Sequence, residues 1–186
     1  MRIAVGRGIT LVALGLCLAL PAAAQVETRT DAAVAKDAQR AILGYAGLTI
    51  FDNILYGVQD GVVLLRGSVQ MPYRSQALEK RVARVPGVKA VINEIRVQPV
   101  SLFDDEIRYR LARAIYGDPR FVQYAHRADP PIRIVVENGR VTLAGVVASR
   151  VEQVLLGHIA RQSALSFGVT NEVEVESEMN REPKRS

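Results

Sequence analysis

His126 and His158 are the two histidines of the chain, and zinc would need three or four ligands gathered around one of them. Neither has a Cys, His or carboxylate partner at ligand spacing, so His126 reads as solvated loop and His158 as the flank of a helix. Asp104-Asp105-Glu106 is the densest acidic run. At the front of a helix such carboxylates stabilise free N–H groups and the positive end of the dipole, which accounts for them without a metal. Nucleophilic chemistry has little to work with: Cys17 is the single thiol, and there is no Gly-x-Ser-x-Gly elbow. Phosphate loops and dinucleotide-binding glycine motifs are also missing. Asn93 and Asn171 recur, and each is expected to open a strand and bond back to a turn. The chain is therefore expected to be no enzyme, with no catalytic or metal-ligating residues, no cofactor and no small-molecule substrate.

The residues with a chemistry to offer are basic. Arg74, Lys80, Arg81, Arg84 and Lys89 gather on or just after one helical segment, and Arg108, Arg110 and Arg113 on another. Anionic lipid headgroups attract such side chains by ~1 kcal/mol for each Lys or Arg held near the surface. A solvated face balanced by Glu79, Asp104, Asp105 and Glu106 is the alternative. The formal net charge is +5, and Arg2 and Arg7 of the leader account for part of it. The remainder is too weak to argue a nucleic-acid partner, and no Gly-x-x-Gly clamp supports one. Insertion of apolar side chains into a bilayer has little support, because tryptophan is absent and no long helix is strongly amphipathic.

Residues 1–24 read as a cleaved signal peptide. Arg2 and Arg7 precede an apolar run from Ile9 to Leu20, and Ala22 and Ala24 place cleavage before Gln25. The run falls short of the roughly 20 residues that cross a bilayer. Leu16 precedes Cys17 and the apolar run continues past it, which is not the pattern of a lipoprotein cleavage point. Export is expected, and the exported chain holds no cysteine, so disulfides contribute nothing.

The elements that must position the basic residues come from an internal repeat. Gly61, Val63, Leu65, Gly67 and Val69 recur 78 positions later as Gly139, Val141, Leu143, Gly145 and Val147. Val91, Asn93, Glu94 and Val97 likewise return as Val169, Asn171, Glu172 and Val175. In the first repeat, residues 31–98, Val34, Ala38, Ala41, Ile42 and Tyr45 predict a helix with Asp31 as a possible N-cap, ended by Gly44 and Gly47. Ile54 to Val58 reads as a strand, Asp60-Gly61 as a two-residue hairpin turn, and Val63 to Val69 as its returning arm, with alternation through Gly67. Pro72 opens a second helix carrying Leu78, Val82 and Val85, which Pro86-Gly87 stops. Val88 to Val97 follows as a strand. Gln98-Pro99-Val100-Ser101 is a linker too short to let the repeats tumble independently.

The second repeat, residues 102–176, keeps the order. Ile107, Leu111, Ala114 and Ile115 match the first helix at an offset of 73, and Phe121 and Tyr124 match Leu48 and Phe51. The offset becomes 78 by Gly139, so about five residues enter around His126 to Pro130 as a loop insertion. Asn138-Gly139 repeats the hairpin turn, Gly145 repeats Gly67, Ser149 is a possible cap for a helix with Val151, Leu155 and Ile159, and Val169 to Val175 is the last strand. The end of the chain, residues 177–186, is polar. The order of elements is αββαβ, twice.

Two strings in each repeat, "DGVVLLRGSV" with "VPGVKAVINEIRV" and "NGRVTLAGVV" with "FGVTNEVEV", resemble the BON domain, a small module of bacterial envelope proteins linked to osmotic adaptation and nodulation. The likeness spans Asp31 to about Val175. The second repeat departs where Phe167-Gly168 replaces Lys89-Ala90 and Leu165 replaces the turn glycine Gly87, which bears on how its second helix ends. The resemblance implies an α+β fold of two tandem αββαβ modules, each with two helices packed on a three-stranded mixed sheet. It implies a periplasmic or outer-envelope location, with phospholipid surfaces or envelope proteins as partners and a role in osmotic or envelope stress. A protein-interaction module acting through an exposed sheet edge is the alternative. The resemblance carries no catalytic residues.

Overall fold

The computed structural model describes residues 29–127, 129–163 and 165–179. The signal-peptide reading, most of the polar tail and Ala128 of the inserted loop lie outside the described residues.

The first helix, α1 (Asp31–Leu43), is capped by Thr30, whose hydroxyl accepts from the Ala33 amide at 3.3 Å. Asp31, the expected cap, already stands inside the helix and does something else, described below. The hairpin of β1 (Asn53–Gln59) and β2 (Val62–Val69) is antiparallel, and both turn residues, Asp60 and Gly61, have positive φ (53° and 78°), the backbone that a two-residue turn of this twist requires. Pro72 begins α2 (Pro72–Val82), where a missing N–H costs nothing. The third strand, β3 (Ala90–Val97), lies parallel to β2, so the sheet order is β1-β2-β3. Val63 and Leu65 are fully buried against Val34, Ala38, Leu78 and Val82, and Val69 is fully buried further along the same strand. The helix ends at Val82, and Val85 is buried from the following turn rather than from a helical position.

The second repeat runs α3 (Leu102–Tyr116), a four-residue helix α4 (Val122–Ala125), β4 (Ile132–Glu137), β5 (Arg140–Val147) and α5 (Arg150–Ser163). Asn138 and Gly139 again have positive φ (53° and 72°). The expected single last strand is two pieces, β6 (Gly168–Asn171) and β7 (Glu174–Val175), both parallel to β5. One further turn, α6 (Glu176–Met179), begins the polar tail. Ser149 caps α5 through its hydroxyl, which accepts from the Glu152 amide at 3.3 Å. Residue 163 corresponds to Val85 at the offset of 78, so α5 outlasts α2 by three residues. The cause is the absence of a Pro86-Gly87 pair: a proline disfavours helical backbone in the residue before it, and Gly87 turns the chain with φ 91°. The fold class is α+β, with two mixed sheets each covered by helices on one side.

The repeats are joined by more than the linker. Phe51, from the first repeat, is buried in the core of the second with Ile107, Leu111 and Ile134, and meets Tyr109 edge-on at 5.6 Å. The Ile134 amide, on the outer strand β4, donates to the Ile50 carbonyl at 2.8 Å, which occupies part of an edge that would otherwise be open.

Candidate functional site

The eight basic side chains divide by what holds them. Arg74 is 9 % exposed and its Nη1 donates to Asp52 Oδ2 at 2.6 Å. Burial works against its charge, but the hydrogen bond and attraction of the Asp52 carboxylate outweigh it and raise its pKa. Asp52 is itself fully enclosed and also accepts from the Thr49 and Gln70 amides at 2.7 and 2.9 Å. Arg108 is 2 % exposed; Nη2 donates to Gln98 Oε1 at 2.9 Å and to the Val136 carbonyl, and Nη1 to Asp105 at 2.6 Å. Gln98 in turn donates to the Phe51 carbonyl at 2.7 Å. Arg74 and Arg108 thus leave the surface set: one ties the segment just before β1 to α2, the other ties the linker to the second repeat.

Arg81 is exposed but spans to α1, donating to the Ala41 and Gly44 carbonyls at 2.7 and 3.1 Å, where a cation satisfies the free end of a helix. Arg110 pairs with Glu106 at 2.6 Å along one helix face. That leaves Lys80, Arg84, Lys89 and Arg113, all outside the buried set and without a carboxylate partner among the described residues. Lys80 stands in the last turn of α2 and Arg84 in the turn that follows it. The Lys89 amide donates to the Gly61 carbonyl at 2.8 Å, which sets it beside the hairpin turn. Of the four, Lys89 alone is tied to the hairpin turn; Lys80 and Arg84 precede it along the exit of α2, and Arg113 lies on α3 of the second repeat. Arg113 edges an open apolar cleft of about 640 Å³ lined by Ile50, Tyr109, Ala112 and Tyr116.

Sequence reasoning missed the clasp that fixes each hairpin turn. Asp31 accepts from the Asp60 and Gly61 amides at 2.7 and 2.9 Å, and Asp104 from the Asn138 and Gly139 amides at 2.9 and 2.7 Å. The two aspartates lie 73 positions apart, the offset that already aligns the two helices, so the recurrence was there to be found. Asn93 and Asn171 also do more than expected. Each lies within the third strand and reaches the second helix: Asn93 Nδ2 donates to Ser75 Oγ and Glu79 at 2.9 Å, and Asn171 Nδ2 to the Gln153 carbonyl at 2.8 Å. Gly67 and Gly145 stand within β2 and β5 rather than at turns; their φ is 108° and 106°, and a Cβ there would lie 2.0 Å from the Asn53 carbonyl oxygen or 1.8 Å from that of Pro131.

His126 and His158 are both exposed, and among the described residues no group of three or more His, Cys, Asp or Glu side chains is close enough to hold a metal ion. No described helix is long and apolar enough to cross a membrane.

A family model described as BON domain matches residues 30–99 and again residues 104–177. No curated protein matches the chain. Among solved structures, the chain is similar to CdsD, a structural protein of the type III secretion system of Chlamydia trachomatis. The identity is 13 %, 81 % of this chain and 99 % of that chain are covered, and the TM-score is 0.28. The C-terminal domain of CdsD aligns at 11 % identity over 75 % of this chain and 96 % of that one, with a TM-score of 0.27. Superpositions this loose carry no argument about this chain.

Proposed function

Because the chain belongs to the BON domain family, a family of non-catalytic binding modules, we propose that it is an exported two-repeat protein that docks on anionic phospholipid at the surface of the cell envelope. The leader at residues 1–24 supports export, and the envelope association typical of the family supports the location. The observation that carries the docking is the set Lys80, Arg84 and Lys89, exposed along the segment from the last turn of α2 to the start of β3 with no carboxylate partner among the described residues. Arg66 and Arg120 are neutralised by Glu94 and Asp118, whereas these three have no carboxylate within the described residues and leave their charge to an external anion. A supporting role in osmotic or envelope-stress tolerance follows from the family.

Co-sedimentation with vesicles tests the reading, using the chain from Gln25 onward so that the apolar leader cannot contribute. Recovery is expected with phosphatidylglycerol vesicles, to fall with salt as screening shortens the reach of the charges, and to be low with phosphatidylcholine. Equal recovery on both vesicles at every ionic strength overturns it.

A second reading rests on one observation. β3 is an edge strand of eight residues with no partner on its outer side among the described residues, the geometry for strand addition by an envelope protein. The interrupted β6 and β7 offer no equivalent in the second repeat. Partner recovery from envelope extract that survives removal of phospholipid, and is lost with a proline within β3, is the result this reading requires.

A further inference from the structure

The hairpin end of the second repeat is built differently from that of the first. Phe103, from the first turn of α3, and Phe167, just before β6, stack as a tilted ring pair 5.9 Å apart. Both rings lie against Gly139 of the turn, closely enough that a Cβ there would fall 2.7 Å from Phe167 and 3.1 Å from Phe103. The pair is nonetheless on the outside: Phe103 is 43 % and Phe167 74 % exposed, and Leu102 and Leu165 nearby in the chain are exposed as well.

The fold does not ask for these side chains. At the repeat offsets of 73 and 78, Leu102, Phe103, Leu165 and Phe167 correspond to Arg29, Thr30, Gly87 and Lys89. The first repeat makes the same clasp with its turn and the same backbone bond from residue 89 to Gly61 without a single large apolar residue at those places. Two rings on one hairpin turn, with exposed leucines close to each in the chain, stand at positions that tolerate other types and need a reason outside the fold. Keeping that much apolar surface in water is unfavourable, and its removal from water is the gain on offer.

The charge around the pair says what removes it. The Arg140 guanidinium comes within 3.9 Å of where a Gly168 Cβ would stand, next to Phe167 in the chain, and has no carboxylate partner among the described residues. The neighbouring acids are all engaged: Asp104 on the turn amides, Asp105 on Arg108, and Glu137 on Arg96 at 3.2 Å. We propose that the Phe103–Phe167 tip is an anchor that enters the interfacial region of an anionic bilayer, with Arg140 at the phosphates and the rings and flanking leucines among the upper acyl carbons. The inference rests on the phospholipid reading above and deepens it. Lys80, Arg84 and Lys89 would supply the salt-sensitive attraction, and the aromatic tip a salt-resistant component. It also departs from the sequence-level expectation that apolar insertion has little support, since two rings far apart in the chain make one patch only after folding.

The chain has no tryptophan, so Phe167→Trp places a single reporter at the tip. With phosphatidylglycerol vesicles the emission is expected to shift to the blue and to be quenched by lipids brominated on the upper acyl chain. A second variant, Phe103→Ser with Phe167→Ser, is expected to lose about tenfold or more in vesicle affinity with an unchanged circular dichroism spectrum. Its remaining binding is expected to vanish at a salt concentration the parent chain withstands. If Phe167→Trp binds these vesicles with unshifted emission that brominated chains do not quench, the anchor is overturned while the docking reading stands. The anchor is equally overturned if that emission shifts only with self-association or with an envelope protein. If the parent chain binds no vesicle, the docking reading fails and takes the anchor with it.

Discussion

Removing the Asp104 carboxylate tests whether the turn clasp sets the stability of the second repeat. The side chain is fully buried and accepts two amides, from Asn138 at 2.9 Å and Gly139 at 2.7 Å. Hydrogen bonds to a charged acceptor contribute about 1.5–3 kcal/mol each, and a buried donor left without a partner costs about 1–3 kcal/mol. The Gly139 amide lies beneath Phe103 and Phe167 and cannot be rewetted without moving them, whereas Asn138 is exposed and its amide can turn to water. Asp104→Ala should therefore cost about 3 kcal/mol, and Asp104→Asn, which keeps one acceptor, about 2 kcal/mol. Asp31→Ala removes the equivalent bonds at the more open turn of the first repeat and should cost about 1 kcal/mol. Urea unfolding followed by circular dichroism measures all three, and hydrogen exchange at the Gly139 amide localises the effect. If Asp104→Ala lies within about 0.5 kcal/mol of the parent chain, or costs no more than Asp31→Ala, burial does not set the strength of the clasp.

Gly145→Ala should destabilise by at least about 3 kcal/mol, since its φ is 106° and the new Cβ would fall 1.8 Å from the Pro131 carbonyl oxygen; chemical denaturation gives the value. Arg74→Met strands the enclosed Asp52 charge and should cost about 3–5 kcal/mol, with partial recovery when Asp52→Asn is added, a pairing that a double-mutant cycle resolves. Burial pushes the Tyr116 hydroxyl, which donates to the Ile132 carbonyl at 2.6 Å, well above the ordinary tyrosine range. A raised folded pKa on an acid favours the protonated form, so its contribution is complete below about pH 10 and is lost as pH climbs toward the folded value. Absorbance titration should show a late-ionising component that Tyr116→Phe deletes. Replacing Lys80, Arg84 and Lys89 together with glutamine should weaken binding to anionic vesicles by about 3 kcal/mol, roughly 150-fold, as read by co-sedimentation.

The two-residue turns, the alternation along β2 and β5, and the helical stripes were legible because backbone geometry dictates those residue types. Charge placement was not, because a cluster of arginines in sequence says nothing of which way each side chain turns. Position on the stripe did carry that information: Arg74 shares the face of Leu78 and Val82, and Arg108 that of Leu111 and Ile115, so both were placed to turn inward. The break between β6 and β7 had no local signal, and neither did α4. Phe121, just before α4, and Val173, between β6 and β7, are both buried in the core of the second repeat.

The ring of Phe51 gives the chain an asymmetry that tandem repeats need not have. A cut at Pro99 would hand one fragment an aromatic group with nowhere dry to sit, and leave the other with a void and with Arg108 deprived of the Gln98 oxygen. Each half holds something the other needs, so the two are expected to melt in one transition, and dissecting the protein at its obvious seam would yield pieces that misreport what the whole can do.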